Sequence, residues 1–209
     1  TLFGLLLALP TGILSAIRQD TWVDYLFRTI AIGGLSIPGF WIATFVIVSA
    51  SICWKWVPPM RYTPFLRDPL ANLAQLTLPA LILGFALSAG VMRMTRSMTL
   101  EVLREDYVRT AWAKGLRGST VIARHVLKNA MIPVVTITGL QLSTLIGGTV
   151  IMESIFVLPG MGRFLLDAIT WRDYPVIQGI NLFLATGVLV LNLVIDLVYG
   201  CLDPRIRYG

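Results

Sequence analysis

The chain has 209 residues, 56% of them hydrophobic and only 13% charged, with a mean hydropathy of +0.77. Soluble domains carry about 25% charged residues, so a water-soluble globule is excluded and a polytopic membrane protein is indicated. The net charge of +6 is explained by basic loops on one side of a bilayer and requires no nucleic acid partner.

Five apolar segments follow one another: Thr1–Ile17, Thr29–Trp54, Leu76–Met94, Met131–Phe156 and Ile177–Cys201. A helix needs about 20 apolar residues to cross the hydrocarbon core. Four segments meet this and the first is short. Lipid offers no partner to backbone N–H and C=O groups, so each span is expected to be helical. The fold class expected is therefore all-α, a transmembrane helical bundle with five spans in one domain over residues 1–209. Pro10, Pro38, Pro79 and Pro133 fall in or near these runs and are expected as tolerated kinks. No signal peptide is read ahead of the first run.

Small residues recur every fourth position on three spans: Gly4, Ala8, Gly12 and Ala16; Ala80, Gly84 and Ser88; Gly139, Ser143 and Gly147. Such stripes let helix backbones approach closely. Bundle packing and the lining of a path are both open readings. The stretch Trp54–Gln75, rich in Pro and aromatics, is expected to cap the bundle at an interface, with Trp54 and Trp56 in the aromatic belt.

Orientation follows from the basic residues. With the loop around Arg104 inside, the inner segments hold Arg18, Arg28, Arg93, Arg96, Arg104, Arg109, Lys114, Arg117, Arg124, Lys128, Arg205 and Arg207, and the outer ones hold Lys55, Arg61, Arg67, Arg163 and Arg172. Twelve against five places the C-terminal tail in the cytoplasm and Thr1 outside. A first span that starts outside implies a further helix upstream. Cys53 and Cys201 then lie at opposite faces and are expected to be free thiols. With His125 the only histidine, a His-rich metal site is excluded.

Between the third and fourth spans, residues 95–130 carry seven basic and three acidic side chains, and the segment is longer than a plain connector needs to be. It reads as two helices. The first, Ser97–Lys114, has Tyr107, Val108, Ala111 and Trp112 on an apolar-leaning face. Gly115 and Gly118 break it, and Ser119 is the expected N-cap of the second, Thr120–Ala130. Such an elbow is able to present Tyr107, Ala111 and Trp112 to a groove on a partner, or to lie flat among lipid headgroups.

Polar residues in the spans are the other candidates. Glu153 near the outer end of the fourth span reads as an intramembrane acid or as an interfacial carboxylate paired with Arg163. Gln141, Ser143, Glu153 and Asn181 are candidates for a solute path. Gln141, Asn181 and Asn192 are equally suited to joining helices. Asp196 is expected to pair with Arg205 or Arg207, or to bond a neighbouring helix. No GxxxxGK[ST], HExxH or GxSxG is present, so the chain is expected neither to cradle nucleotide nor to carry out covalent chemistry.

The run "DYVRTAWAKGL" with "RHVLKNAMIPVV" resembles the cytoplasmic EAA loop of binding-protein-dependent ABC importer permeases, and more narrowly their dipeptide/oligopeptide/nickel branch. "ESIFVLPGMGRFLLDAI", "RDYPVIQG" and "DLVYGCLDPRIRY" follow in the family's order. The general motif is Glu-Ala-Ala, three residues, Gly, nine residues, then Ile-x-Leu-Pro. With its glycine on Gly115, only Ala111, Gly115 and Leu127 fit. Arg109 and Thr110 stand at the first two triplet positions, and His125 and Lys128 at two later ones. The contact made by the usual Glu therefore does not carry over.

The resemblance implies that Asp106, Tyr107, Val108, Arg109, Thr110, Ala111, Trp112, Lys114, Gly115, Leu116 and Gly118 dock on an ATP-binding subunit and transmit its closure to the spans. It implies a MetI-like permease of the bacterial inner membrane that moves peptides or a similar small polar solute by alternating access. The partners implied are a second homologous permease, two ATP-binding subunits that hold the ATP and Mg, an extracytoplasmic solute-binding protein and membrane lipid. Family members have six spans, so the first would be missing here. The alternative is a secondary transporter or channel run by an ion gradient, which calls for more buried charge in mid-span than this chain carries.

Overall fold

The computed structural model describes residues 1–59 and 61–202, and the elements found there are helical. Helix α1 (Leu2–Ile17) and helix α4 (Pro69–Leu103) form the most extensive helix pair. Gly4 lies against Gly84, and Gly12 against Met92 and Thr95, so the two helices run in the same direction. A Cβ at Gly4 would sit 2.7 Å from the Gly84 carbonyl oxygen, so only a residue without a side chain permits this approach. Gly4, Ala8, Gly12 and Ala16 are all buried there, which makes the first stripe a packing face.

α1 turns at Arg18–Thr21 into α2 (Trp22–Ser36), which returns along α4 with Gly34 against Phe85 and Ala89. The expected single span Thr29–Trp54 is not found. Ile37 and Pro38 are extended, and α3 (Gly39–Trp54) leaves at 94° to α2. The proline ring clashes with a helical residue before it, so Ile37 takes φ −104°, ψ 121° and the chain corners rather than kinks. α3 then packs Ala43 against Ile82, Met152 and Phe156.

α4 begins with Asp68, whose carboxylate accepts from the Ala71 N–H at 3.0 Å, and Pro69 follows at the first helical position. Both are strong start signals. Its 35 residues make a rod of about 52 Å, longer than the roughly 30 Å hydrocarbon core. Three helical stretches are long and apolar enough to cross a membrane: Pro69–Leu103, Gly118–Leu145 and Tyr174–Val198. The broken α2–α3 pair passes together, and α1 is apolar but shorter.

The expected loop helix Ser97–Lys114 is also divided. α4 stops at Leu103, Glu105 is extended, and a separate α5 (Asp106–Ala113) follows. No Gly or Pro marks this break. The gain is burial: α5 folds back so that Val108 and Ala111 meet Val121 and Val126, flanked by Val102 and Leu103. A straight helix would leave these side chains in water. The next helix, α6 (Gly118–Thr120), starts at Gly118 rather than after a Ser119 cap, and runs through a π-helical turn, Val121–Val126, into α7 (Leu127–Gly148).

The expected fourth span, Met131–Phe156, comprises most of α7 and a separate α8 (Val150–Ile155). α9 (Met161–Thr170) and α10 (Tyr174–Leu202) complete the chain. α10 packs on α7 and α9, with Gly139 pressed against Ile195, and turns Leu182, Phe183, Leu189, Leu193 and Leu197 outward. The main core, Ala8, Ala31, Leu87, Ala89, Val91, Met92 and Val134, joins α1, α2, α4 and α7.

Candidate functional site

The loop below α4 is a built object. Its inner face is Val108 and Ala111, both buried. This corrects the expectation that Val108 and Ala111 are offered to a partner. Asp106, Tyr107, Arg109, Thr110, Trp112, Lys114, Gly115 and Leu116 are exposed, with Tyr107 at 42% and Trp112 at 46%. The Tyr107 hydroxyl accepts from the Asn129 side-chain amide at 2.8 Å, which ties α5 to the foot of α7.

α5 ends in a Schellman motif. The Gly115 N–H donates to the Trp112 carbonyl (2.9 Å), and the Leu116 N–H to the Ala111 carbonyl (3.4 Å). Gly115 has φ +73°, a conformation that costs an L-residue about 1 kcal/mol or more. The Trp112 ring then folds over Gly118, 3.1 Å from where a Cβ would stand. The two glycines thus serve different ends: one makes the turn and the other receives the indole.

Directly above the loop is a feature that the sequence did not announce. The Asp24 carboxylate is fully buried. It accepts from the Arg96 guanidinium through two bonds of 2.7 Å, from the Ser15 hydroxyl at 2.5 Å and from the Asp20 N–H at 3.1 Å. One carboxylate on α2 thereby joins α1, the α1–α2 turn and α4. Bidentate pairing with every lone pair in use is the condition under which a buried ion pair holds rather than destabilises. By its position in the sequence Arg96 reads only as a loop charge. The available signal was a lone acid, Asp24, inside "TWVDYLF" with an arginine on a neighbouring span.

The four path candidates do not converge. Gln141 on α7 lies over Gly90 of α4, its side-chain nitrogen 2.5 Å from the position a Cβ would take. It also lines a cavity of about 260 Å³ with Leu35, Leu83 and Leu87. The Ser143 hydroxyl donates to the Asn192 side-chain oxygen Oδ1 at 2.9 Å, joining α7 to α10. Asn181 is exposed on α10. Glu153 accepts from the Thr149 hydroxyl (2.7 Å) and from the Arg163 backbone N–H (2.8 Å). It therefore satisfies a free donor in the first turn of α9, and the expected pairing with the Arg163 guanidinium is replaced by this cap. Its carboxylate also packs tightly against Gly160. The expected pairing of Asp196 with Arg205 or Arg207 lies outside the described residues.

Comparison with known proteins accords with this architecture. A solved chain of the MetNI methionine ABC transporter in an inward-facing conformation superposes with a TM-score of 0.71, covering 97% of this chain and 88% of that one, at 17% identity. A putative peptide transport system permease protein of Brucella abortus is 43% identical over 197 residues, 94% of this chain and 63% of the relative. The dipeptide transport system permease protein DppB of Escherichia coli K12 is 41% identical over 230 aligned positions, 99% of this chain and 68% of the relative. The chain thus spans just under two thirds of the length of the Brucella protein. The family described as "Binding-protein-dependent transport system inner membrane component" matches residues 8–208. With nearly the whole chain matched, this protein belongs to the binding-protein-dependent transport system inner membrane component family.

Proposed function

We propose that the chain is the permease subunit of an ABC importer for peptides or a similar small polar solute, moved by separate ATP-hydrolysing subunits. The observation that carries this reading is the α5 elbow. It has its own apolar core, which fixes its shape, and it turns Tyr107, Arg109, Trp112 and Lys114 outward. An aromatic and cationic helix face of this kind fits an acidic groove on a partner. The relatives named for peptide and dipeptide transport support the cargo class.

In this reading α5 docks on an ATP-binding subunit on the cytoplasmic side. ATP and Mg²⁺ bind that subunit and not this chain. Closure of the ATPase pair drags α5 as a rigid body, and the pull reaches the bundle through α4 and α7. A second permease covers part of the apolar face left by α10, lipid covers the rest, and a solute-binding protein delivers cargo at the α8–α9 end. The C-terminal tail lies in the cytoplasm.

The test is co-purification with the ATPase subunits. An Arg109→Glu, Trp112→Ala double variant keeps the inward residues and is expected to insert normally. Its recovery of the ATPase should fall about tenfold or more, as loss of an interface anchor implies. Lys55→Glu, at the other end of the bundle, should leave recovery unchanged. Equal recovery from all three proteins counts against the docking role.

A further inference from the structure

Helices α2, α4 and α7 enclose a groove in two parts. The upper part is the apolar cavity beside Gln141, lined by Leu35, Leu83, Leu87 and Leu145. The lower part is larger, about 660 Å³, and is lined by Arg28, Arg93 and Arg96 with Ile32, Gly90 and Ile137. Gln141 resting on Gly90 separates the two.

Charge in the lower part is one-sided. Arg96 is neutralised by Asp24. Arg28 stacks over the Tyr25 ring at 5.8 Å. Among the described residues neither Arg28 nor Arg93 forms a salt bridge. Acids line two adjoining cavities: Asp196 on α10, in one that shares Met94 and Ile137 with this groove, and Glu101, Glu105 and Asp106, in one that shares Arg96 and Ser97 with it; no ion pair joins any of them to Arg28 or Arg93. Two uncompensated guanidiniums facing one cavity beside apolar spans call for water and an anionic ligand. Planar guanidinium groups suit carboxylate oxygens.

We propose that this groove is the inner segment of the solute path, and that Arg28 and Arg93 receive the solute's carboxylate group after it passes Gln141. The proposal rests on the importer reading and names the chemistry that this chain selects. A lipid phosphate is the competing ligand. The occurrence of a second cavity above, walled by the same three helices, favours a path over a lipid-facing notch.

The first experiment uses membranes that hold the full transporter, with Cys53→Ser and Cys201→Ser removing background thiols and Ile32→Cys placed in the groove. With each rate divided by that of the same reagent towards free 2-mercaptoethanol, an anionic methanethiosulfonate (sulfonatoethyl) should be favoured roughly tenfold over a cationic one (trimethylammonium-ethyl), the local enrichment that a one-signed cleft gives. Arg28→Gln with Arg93→Gln should abolish the preference. A cysteine that reacts with neither reagent lies in lipid and overturns the proposal, as does equal reactivity towards both. This arm needs no working ATPase.

The second experiment measures uptake of alanyl-alanine from its loaded binding protein into proteoliposomes. The double Gln variant should lose about tenfold in rate while retaining ATPase co-purification, and Arg28→Lys with Arg93→Lys, which restores the charge without the planar fork, should recover only part of it. Undiminished uptake in the Gln variant overturns the carboxylate role. Absent uptake in the parent protein counts instead against the importer reading, and the labelling arm still decides whether the groove is wet and cationic.

Discussion

At the scale of single residues, the buried Asp24 carboxylate has the largest predicted effect. Asp24→Asn leaves the Arg96 guanidinium without its partner, and removing one side of a buried pair costs about 3–5 kcal/mol. Thermal unfolding of the solubilised protein, followed by tryptophan fluorescence, should show a midpoint lowered by about 10 °C. Replacing both partners, Asp24→Leu with Arg96→Met, should cost clearly less than Asp24→Asn alone, because no stranded charge remains. A double variant as unstable as the single one would show that the pair does not act as a unit. A smaller effect belongs to Gly115. Gly115→Ala must hold an alanine at φ +73° and should cost about 1 kcal/mol, seen as faster proteolysis within the loop and little change in the spans. How legible such residues were depended on their signals. Gly115 and Gly118 were readable because an elbow between two helices needs a residue free of a side chain. Asp24 was not, because its partner lies 72 positions away and no local pattern connects the two.

At the scale of elements, the spans were legible and their corners were not. Hydropathy found each apolar run, yet "GLSIPGFW" reads as continuous grease while the backbone turns through 94°. The Ile37–Pro38 step held the information, since the residue before proline avoids the helical region. Spin labels at Ile30 and Ile52, both on outward positions, should be about 24 Å apart across this corner, against about 33 Å for an unbroken helix. A double electron–electron resonance measurement separates the two. The break at Arg104–Glu105 was hidden for another reason. No turn residue marks it, and it arises because Val108 and Ala111 gain a core by folding back, a tertiary effect that periodicity along one segment does not reveal. The Glu153 cap was half legible: the acid stood out, but its acceptor role towards the first turn of α9 depends on where α9 begins.

For the whole molecule, the charge asymmetry and the parallel course of α1 and α4 make a joint prediction. Both helices descend towards the α5 loop, so Cys53, in the last turn of α3 ahead of the segment that leads to the start of α4, and a cysteine at Lys114 belong to opposite faces of the membrane. In intact cells a membrane-impermeant maleimide should label Cys53 from outside. A Lys114→Cys protein that also carries Cys53→Ser and Cys201→Ser should be labelled only after the cells are opened. Reversed labelling would invert the topology and place the α5 loop out of reach of any cytosolic ATPase.

The length of α4 has a mechanical consequence. A rod of about 52 Å swung by about 10° around one end sweeps the other end through roughly 9 Å, about the spacing between the axes of neighbouring helices. Asp24 straps α1 and α2 to that rod just above its lower end. A small tilt imposed from below would therefore travel as a lever stroke of three helices together, magnified towards the far rim and undiminished by slippage at the joint.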